Sequence, residues 1–364
     1  MRIHVVDPPA YTPPYDHALC TGLARAGADV TLHTTRFAHG DVPDPEGYRL
    51  EEAFYRRQAG PRLRRMARLA QHVPDMLRYA RRAREADVVH FQWMALQHLD
   101  PWLLPRSRPL VLTAHDVLPR EGSARQVAGQ RRLYGRMDAV VVHSEHGAER
   151  LRSEVGVDPL KVHVIPHGAF HHLARTEPAT LPPELATGSD TPVVLCFGLI
   201  RPYKGVDVLL DAWRDVTGAE LWIVGAPRME ITALRAASPD SVRWLPRFVS
   251  DAEAAAMFRR ADVVTLPYRE IDQSGVLFTA LAFAKPLVVT MVGGFSEIDP
   301  AVHVAPSDAG ALGSALQALI DDPDARARLS AQAAQVAAPD GPFGWDAIAR
   351  RHMTLYAALV GSHA

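Results

Sequence analysis

The sequence predicts an α/β protein built from two parallel-sheet domains of similar size. Short β-branched runs alternate with helical segments along most of the chain, the pattern of parallel strands joined by crossover helices. The length of 364 residues exceeds one ordinary core and fits two domains of roughly 150 residues each. Between the two sets of strands lies "HHLARTEPATLPPELATGSDTP", His171 to Pro192, polar and proline-rich like an interdomain linker.

Taken in order, strands are expected at Ile3–Val6, Val30–Thr34, Val88–Phe91, Leu110–Ala114, Ala139–His143 and Val162–Ile165. A second set follows at Val193–Phe197, Glu220–Val224, Ser241–Trp244, Val263–Leu266, Leu287–Thr290 and Ala301–Val304. The first domain is expected over 1–172, a linker over 173–190 and the second domain over 191–342. The breaker run "APDGP" sets off a last helix within 343–364 that is expected to pack back on the first domain.

Hydrophobic residues make up 48% and charged residues 22%, with a formal net charge of -1, so nothing draws the whole chain to nucleic acid or membrane. Cys20 and Cys196, the two cysteines, both sit in apolar patterns and read as core thiols rather than a disulfide or metal pair. The N-terminus enters a strand at once without a signal-peptide core, and no run of about 18 apolar residues occurs. A cytoplasmic protein is expected.

One stretch departs from this even charge. Arg56 to Arg84 carries ten arginines against the single acid Asp75, interleaved with Leu63, Met66, Leu69, Val73 and Leu77. Such a segment is either a solvated basic helix pair or a patch for an anionic membrane surface or a phosphorylated acceptor.

The chemistry concentrates at three loops that follow second-domain strands, where ligands sit in open α/β sheets. They are "GLIRPYKG", "VGAP" and "YREIDQSGV". No G-x-G-x-x-G or G-x-x-x-x-G-K-[ST] occurs, which argues against a nicotinamide dehydrogenase and a P-loop enzyme. In the third loop a Ser-Gly turn opens a helix, so the amides of Gly275 and Val276 would face an anion with the helix dipole behind them. Arg201 and Lys204 can neutralise the same charge from the first loop. This set suits a diphosphate leaving group; Lys204 as a plain surface cation is the structural alternative.

These loops carry a resemblance. The second half is similar to the donor domain of family 4 retaining glycosyltransferases, whose pattern runs through a basic G-x-x-x-x-x-K-G loop, "VGxGP", "ADVxxxPS" and "GKPVVATxVGG". Here the counterparts are Gly198–Gly205, "VGAP" at Val224–Pro227, "RADVVTLPY" at Arg260–Tyr268 and "AKPLVVTMVGGFSEI" at Ala284–Ile298. In the first half "DVVHFQW", "LVLTAHDV", "MDAVVVHSEHGAERL" and "VHVIPHG" fall in family order. The resemblance implies the GT-B fold, two Rossmann-like domains facing a central cleft. It also implies transfer of a sugar from a nucleotide diphosphate sugar to an acceptor hydroxyl, with retention.

Carried over to this chain, the resemblance implies catalytic roles for His115, Arg201, Lys204 and Glu270. It implies donor contacts at Gly198, Gly225, Arg247, Phe248, Asp272, Gln273, Ser274, Gly275, Val276 and Thr279. Two places depart from the pattern. Leu199 stands where an arginine is usual, so Arg201 supplies that charge from a shifted position. Thr279 stands where a ribose-binding glutamate is usual, and the partner glutamate maps to Glu270, Ile271 or Asp272.

The first domain is expected to hold the acceptor through Tyr11, Tyr15, Asp16, His17 and Asp116. Capping of its helix is the alternative role for Asp16, and Asp116 is expected to orient His115. His143, His146 and His167 lie on motif loops as further candidates. Asp322 and Asp324 mimic a metal-binding D-x-D, but their setting before a helix favours capping. No metal or other cofactor is expected, and no nucleic-acid partner. Rival readings on the same architecture are a nucleotide-sugar epimerase and a non-catalytic sugar-nucleotide-binding homologue.

Overall fold

A computed structural model describes residues 1–37, 42, 44–57, 64–118, 123–185 and 191–363. The chain divides into two compact units, one of Met1–Gly168 with Gly344–Ala364 and one of Ala169–Phe343.

The first unit is a parallel sheet of β1 (Arg2–Asp7), β2 (Asp29–Thr34), β3 (Arg49–Glu52), β4 (Val88–Phe91), β5 (Leu110–Thr113), β6 (Ala139–Val142) and β7 (Val162–Val164). The spatial order is β3-β2-β1-β4-β5-β6-β7. Strands β4, β5 and β6 are buried at every position, as expected where helices cover both faces. Strand β3 was not anticipated. Its sequence "RLEE" is mostly exposed and shows no apolar run; pairing of Arg49–Glu52 with Thr31–Thr34 makes it a strand.

The helix Trp345–His363 belongs to this unit. It buries Ile348, Ala349 and Tyr356, and the Tyr356 hydroxyl meets His90 Nδ1 of β4 at 2.6 Å.

The arginine-rich stretch forms the helix Arg64–Arg82; Arg62 and Leu63 lie outside the described residues, as do the side chains of Arg64 and Arg65. Its inner face buries His72, Asp75, Met76 and Tyr79, while Met66, Leu69, Val73 and Leu77 are 69%, 47%, 38% and 46% exposed. The apolar positions thus split into a core face and a second stripe in solvent.

The second unit holds β8 (Val193–Phe197), β9 (Glu220–Val224), β10 (Val242–Leu245), β11 (Val263–Leu266), β12 (Leu287–Thr290) and β13 (Val302–Val304). Their order is β10-β9-β8-β11-β12-β13, all parallel. The order reverses between β8 and β11, so the loops after these strands flank the crevice where such sheets take ligands.

The stretch anticipated as a linker lies in this unit. Leu185 is fully buried in its core, with Leu181 packed against it; these apolar anchors among the prolines bind it down. Linker residues 186–190 lie outside the described residues. Both cysteines are free and buried, and among the described residues no helix is long and apolar enough to cross a membrane.

Candidate active site

In the second unit the β8–β9 pairing continues past the strands into their loops. Gly198 N donates to Val224 O at 2.9 Å, Ile200 N to Ala226 O at 3.1 Å and Arg228 N to Ile200 O at 2.8 Å. Gly198 has φ +104° and Gly225 φ +140°, backbone that side-chain-bearing residues rarely adopt. A Cβ on Gly225 would stand 2.1 Å from Gly198 O, so "GLI" and "VGAP" touch backbone to backbone.

The chain then makes a short turn, Pro202–Lys204, before the helix Val206–Trp213. This turn buries Lys204 to 7% exposure, with Nζ 4.9 Å from the centre of the Tyr268 ring. Burial opposes its charge, but the Tyr268 and Tyr203 phenols and the Cys196 thiol together hold its pKa above the ordinary lysine value. Nζ is therefore an ammonium. The plain surface-cation alternative does not describe it.

The loop after β11 is buckled onto the same turn. Arg269 N donates to Tyr203 O at 2.7 Å and its guanidinium to Pro202 O at 2.8 Å. The guanidinium also grips both oxygens of Asp207, at 2.9 and 2.6 Å. Downstream, Ser274 precedes the helix Gly275–Ala282 without capping it; its hydroxyl faces the Tyr268 hydroxyl at 3.4 Å. Gly275 is exposed, so the helix start is open to an anion. Val276 Cγ2 lies 3.3 Å from where a Gly198 Cβ would be.

The fold therefore gathers Gly198, Lys204, Gly225, Ser274, Gly275 and Val276, with half-buried Arg201 on the same loop. Gln273 Oε1 accepts from Ser274 N at 3.2 Å, and the carbonyl of nearly buried Asp272 accepts from Gly294 N at 3.3 Å. Glu270 is exposed beside Arg269. Thr279 is 6% exposed and its hydroxyl donates to Gly275 O at 3.0 Å.

Arg247 and Phe248 follow β10, two strands from β8. Arg247 is engaged with both oxygens of Glu253, at 2.6 and 3.3 Å, while Phe248 is 72% exposed. Sequence reasoning missed Tyr268, Arg269 and Asp207, because a pair 62 positions apart leaves no local pattern.

In the first unit His115 follows β5. Its Nδ1 is 3.2 Å from His143 Nε2, and its Nε2 is 3.2 Å from Gln92 Oε1. His143 Nδ1 lies 3.0 Å from the Ile165 carbonyl, which only accepts, so this nitrogen carries the hydrogen. His143 Nε2 then accepts from His115 Nδ1, leaving His115 Nε2 a bare lone pair. A Gln92 amide turned to present its NH₂ satisfies that lone pair, and the Gln92 Nε2 otherwise has no partner; this orientation is assigned from the network.

Burial, then His143, His167 and His90, push the His115 pKa well below the ordinary range, and burial lowers His143 to about 4. Both rings are neutral near pH 7. Trp93 stacks on His115 at 4.9 Å, and His115 borders a cavity of about 130 Å³ that Asp116 also lines. The hydrogen bonds holding the ring thus come from Gln92 and His143, with Asp116 beside the cavity.

The other first-unit candidates separate. Tyr11 is 69% exposed and packs on Trp93 at 4.6 Å. Tyr15, Asp16 and His17 are buried, with His17 bound to the Tyr48 hydroxyl. Asp16 does not cap its helix: that helix begins at Pro13 after Thr12, so Asp16 is already inside the first turn. Burial and the neighbouring Asp7 push its pKa well above the carboxylate range. His167 joins the buried cluster and His146 is exposed.

Asp322 accepts from Ala325 N at 2.8 Å and caps the helix Pro323–Ala337. Among the described residues no group of three or more His, Cys, Asp or Glu is arranged to hold a metal.

Comparison with known proteins agrees with this architecture. Residues 15–169 match Glycosyltransferase Family 4 and residues 191–322 match Glycosyl transferases group 1. The chain is 30% identical over 268 residues to the GDP-mannose:glycolipid 4-beta-D-mannosyltransferase of Xanthomonas campestris pv. campestris, covering 70% of this chain and 69% of that one. It is 28% identical over 404 residues to the D-inositol 3-phosphate glycosyltransferase of Kineococcus radiotolerans, covering 95% and 90%. The fold superposes on Anabaena HepE in complex with UDP-glucose with a TM-score of 0.70 at 19% identity, covering 99% and 100%. With matching sequence families in both halves and two parallel-sheet units of this topology, the chain belongs to glycosyltransferase family 4 and is a glycosyltransferase of the GT-B fold.

Proposed function

We propose that this glycosyltransferase moves a hexosyl group from a nucleoside diphosphate sugar to an acceptor hydroxyl, with retention and without a metal ion. One observation carries the reading. The buried Lys204 ammonium and the uncapped helix start at Gly275 and Val276 converge beside Gly198, at the crevice between β8 and β11. Preorganised positive charge there stabilises the diphosphate as its bond to the sugar breaks, the work a metal would otherwise do.

Arg201 adds charge from the same loop, and Glu270, Asp272 and Gln273, which precede the helix start, would contact the sugar and ribose. Exposed Phe248, with Arg247, offers a face for the base. In the first unit His115 is held neutral between Gln92 and His143, and a sugar hydroxyl would engage it only by replacing the Gln92 amide at Nε2. A front-face transfer in which the leaving phosphate accepts the acceptor's proton fits this set. The acceptor would then be met by Tyr11 and Asp116 of the first unit.

The names of the relatives support both substrates: a UDP-glucose complex for one neighbour, a glycolipid and an inositol phosphate acceptor for others. The stripe Met66, Leu69, Val73 and Leu77 within the arginine-rich helix supports weak contact with an anionic membrane face. The protein would then work in the cytoplasm, peripherally at the inner face.

Purified protein incubated with UDP- and GDP-sugars tests this reading. Slow release of free sugar and nucleoside diphosphate that persists in EDTA is expected. A new sugar nucleotide would mean epimerisation, and binding without turnover a non-catalytic protein. Activity lost in EDTA and restored by Mg²⁺ would return Asp322 and Asp324 to consideration.

A further inference from the structure

We infer that a second, larger cavity in the first unit is a subsite for a phosphate ester carried by the acceptor. It has a volume of about 920 Å³, within the usual size of small-molecule pockets. Pro9 enters it from the loop after β1 and Ala95–His98 from the segment after β4. These two strands flank the point where the strand order of this sheet reverses, the place where open α/β sheets take ligands.

The lining selects an anion. Arg68 and Arg125 reach the cavity together with His72 and His98, and among the described residues no acidic side chain lines it. Neither arginine pairs with a carboxylate among the described residues; Arg68 is half-buried over the Tyr55 ring at 5.5 Å. Two guanidiniums with free forks suit the oxygens of a phosphate.

The carboxylates nearby are committed behind the wall. Asp100, fully buried, meets His72 Nε2 at 2.5 Å with one oxygen and accepts from Leu96 N at 2.7 Å with the other. His72 Nε2 therefore carries a hydrogen, and the Tyr55 hydroxyl lies 2.7 Å from Nδ1. Asp75 accepts from Tyr55 N at 2.7 Å. The chain Tyr55–His72–Asp100 thus fixes both the aromatic floor under Arg68 and the 95–98 segment, and leaves the cavity face cationic.

Gln97 ties this cavity to the reaction. It lines both the large cavity and the 130 Å³ cavity that His115 borders. An acceptor whose phosphate lies between Arg68 and Arg125 can extend a hydroxyl past Gln97 toward His115. Leu69 belongs both to the cavity wall and to the exposed apolar stripe, so the phosphate can belong to a free sugar or polyol phosphate or to a lipid headgroup. The inference rests on the transferase reading.

The test measures binding rather than turnover. Wild type, Arg68→Gln and Arg125→Gln are titrated with inorganic phosphate, glucose 6-phosphate and glucose. They are also pelleted with phosphatidylcholine vesicles with and without phosphatidylglycerol, and titrated with UDP and GDP as a control on the second unit. Expected is binding of a phosphate-bearing probe but not glucose, weakened at least tenfold in each variant while nucleotide affinity is unchanged. Saturation by soluble phosphates identifies a free ester; saturation only by anionic vesicles, with the same arginine dependence, identifies a headgroup. Absence of binding by every phosphate probe, or binding indifferent to both substitutions, overturns the inference. Failure of wild type to bind either nucleotide strikes the transferase reading instead.

Discussion

Lys204 Nζ occupies the space beside Gly198 that a larger residue would claim: a Cβ at position 198 would stand 2.7 Å from the nitrogen. The glycine thus sets where the ammonium rests. Gly198→Ala should move Lys204, because the far end of a flexible side chain yields more readily than backbone. With φ at +104°, the change should also cost about 1–3 kcal/mol of stability. Donor turnover is expected to fall at least tenfold with a modest loss in Tm. Gly225→Ala faces a carbonyl that cannot swing aside and should lower Tm further, so melting both variants checks the order.

Arg201→Ala and Lys204→Ala are each expected to lower kcat by roughly 10²–10³, the scale of losing one preorganised group that stabilises developing charge. Lys204→Met, which retains the buried stem over Tyr268, should show the same kinetic defect with Tm unchanged or raised. Unaltered kcat in these variants would remove the diphosphate clamp from the proposal.

Thr279 spends its hydroxyl hydrogen on the Gly275 carbonyl. Thr279→Val should therefore keep nucleoside diphosphate affinity within about twofold, since the lost bond is a local helix contact of modest net worth. Thr279→Glu puts a carboxylate at a site 6% exposed and should lower Tm unless it reaches the ribose, in which case nucleotide affinity rises instead. Calorimetric titration with UDP and GDP, with melts alongside, separates the two outcomes.

Acid should unfold the first unit early. His90, His115, His143, His167 and His352 all have pKa values depressed by burial, His143 and His352 to about 4. The unfolded chain takes up those protons first as pH drops below about 6.5, so the stability held above that value is lost toward pH 4, at up to about 1.4 kcal/mol per pH unit for each ring. Asp7, raised to about 6, and Asp16 act in the opposite direction, protonating more readily when folded. With His4, His17, His33 and His163, also lowered by burial in this unit, the rings outweigh the two carboxyls. Tm should fall by roughly 5 °C or more between pH 7 and 5, and His143→Gln should flatten that slope.

Much of the site was legible in the residues. Gly198, Lys204 and Gly275 could be placed because β8 is an unbroken apolar run, β11 is broken only by Thr265, and each loop that follows carries its own chemistry. Tyr15, Asp16 and His17 were harder: their loop is polar and aromatic, and nothing local shows that helix Pro13–Arg25 turns them inward. The linker reading met the same obstacle, because Leu181 and Leu185 are anchors only once a core exists to receive them.

By itself the sequence determined the α/β class, the strands apart from β3, and the loops that bear cations and the helix start, since these follow from local periodicity and turn chemistry. Tertiary structure decided the rest. The Arg269–Asp207 buckle, the His115–His143 hydrogen bond, the approach of Gly225 to Gly198 and the cationic cavity between Arg68 and Arg125 join residues from different crossover units. Such contacts depend on strand order and register, and parallel pairing brings together segments whose separation along the chain leaves no pattern to read.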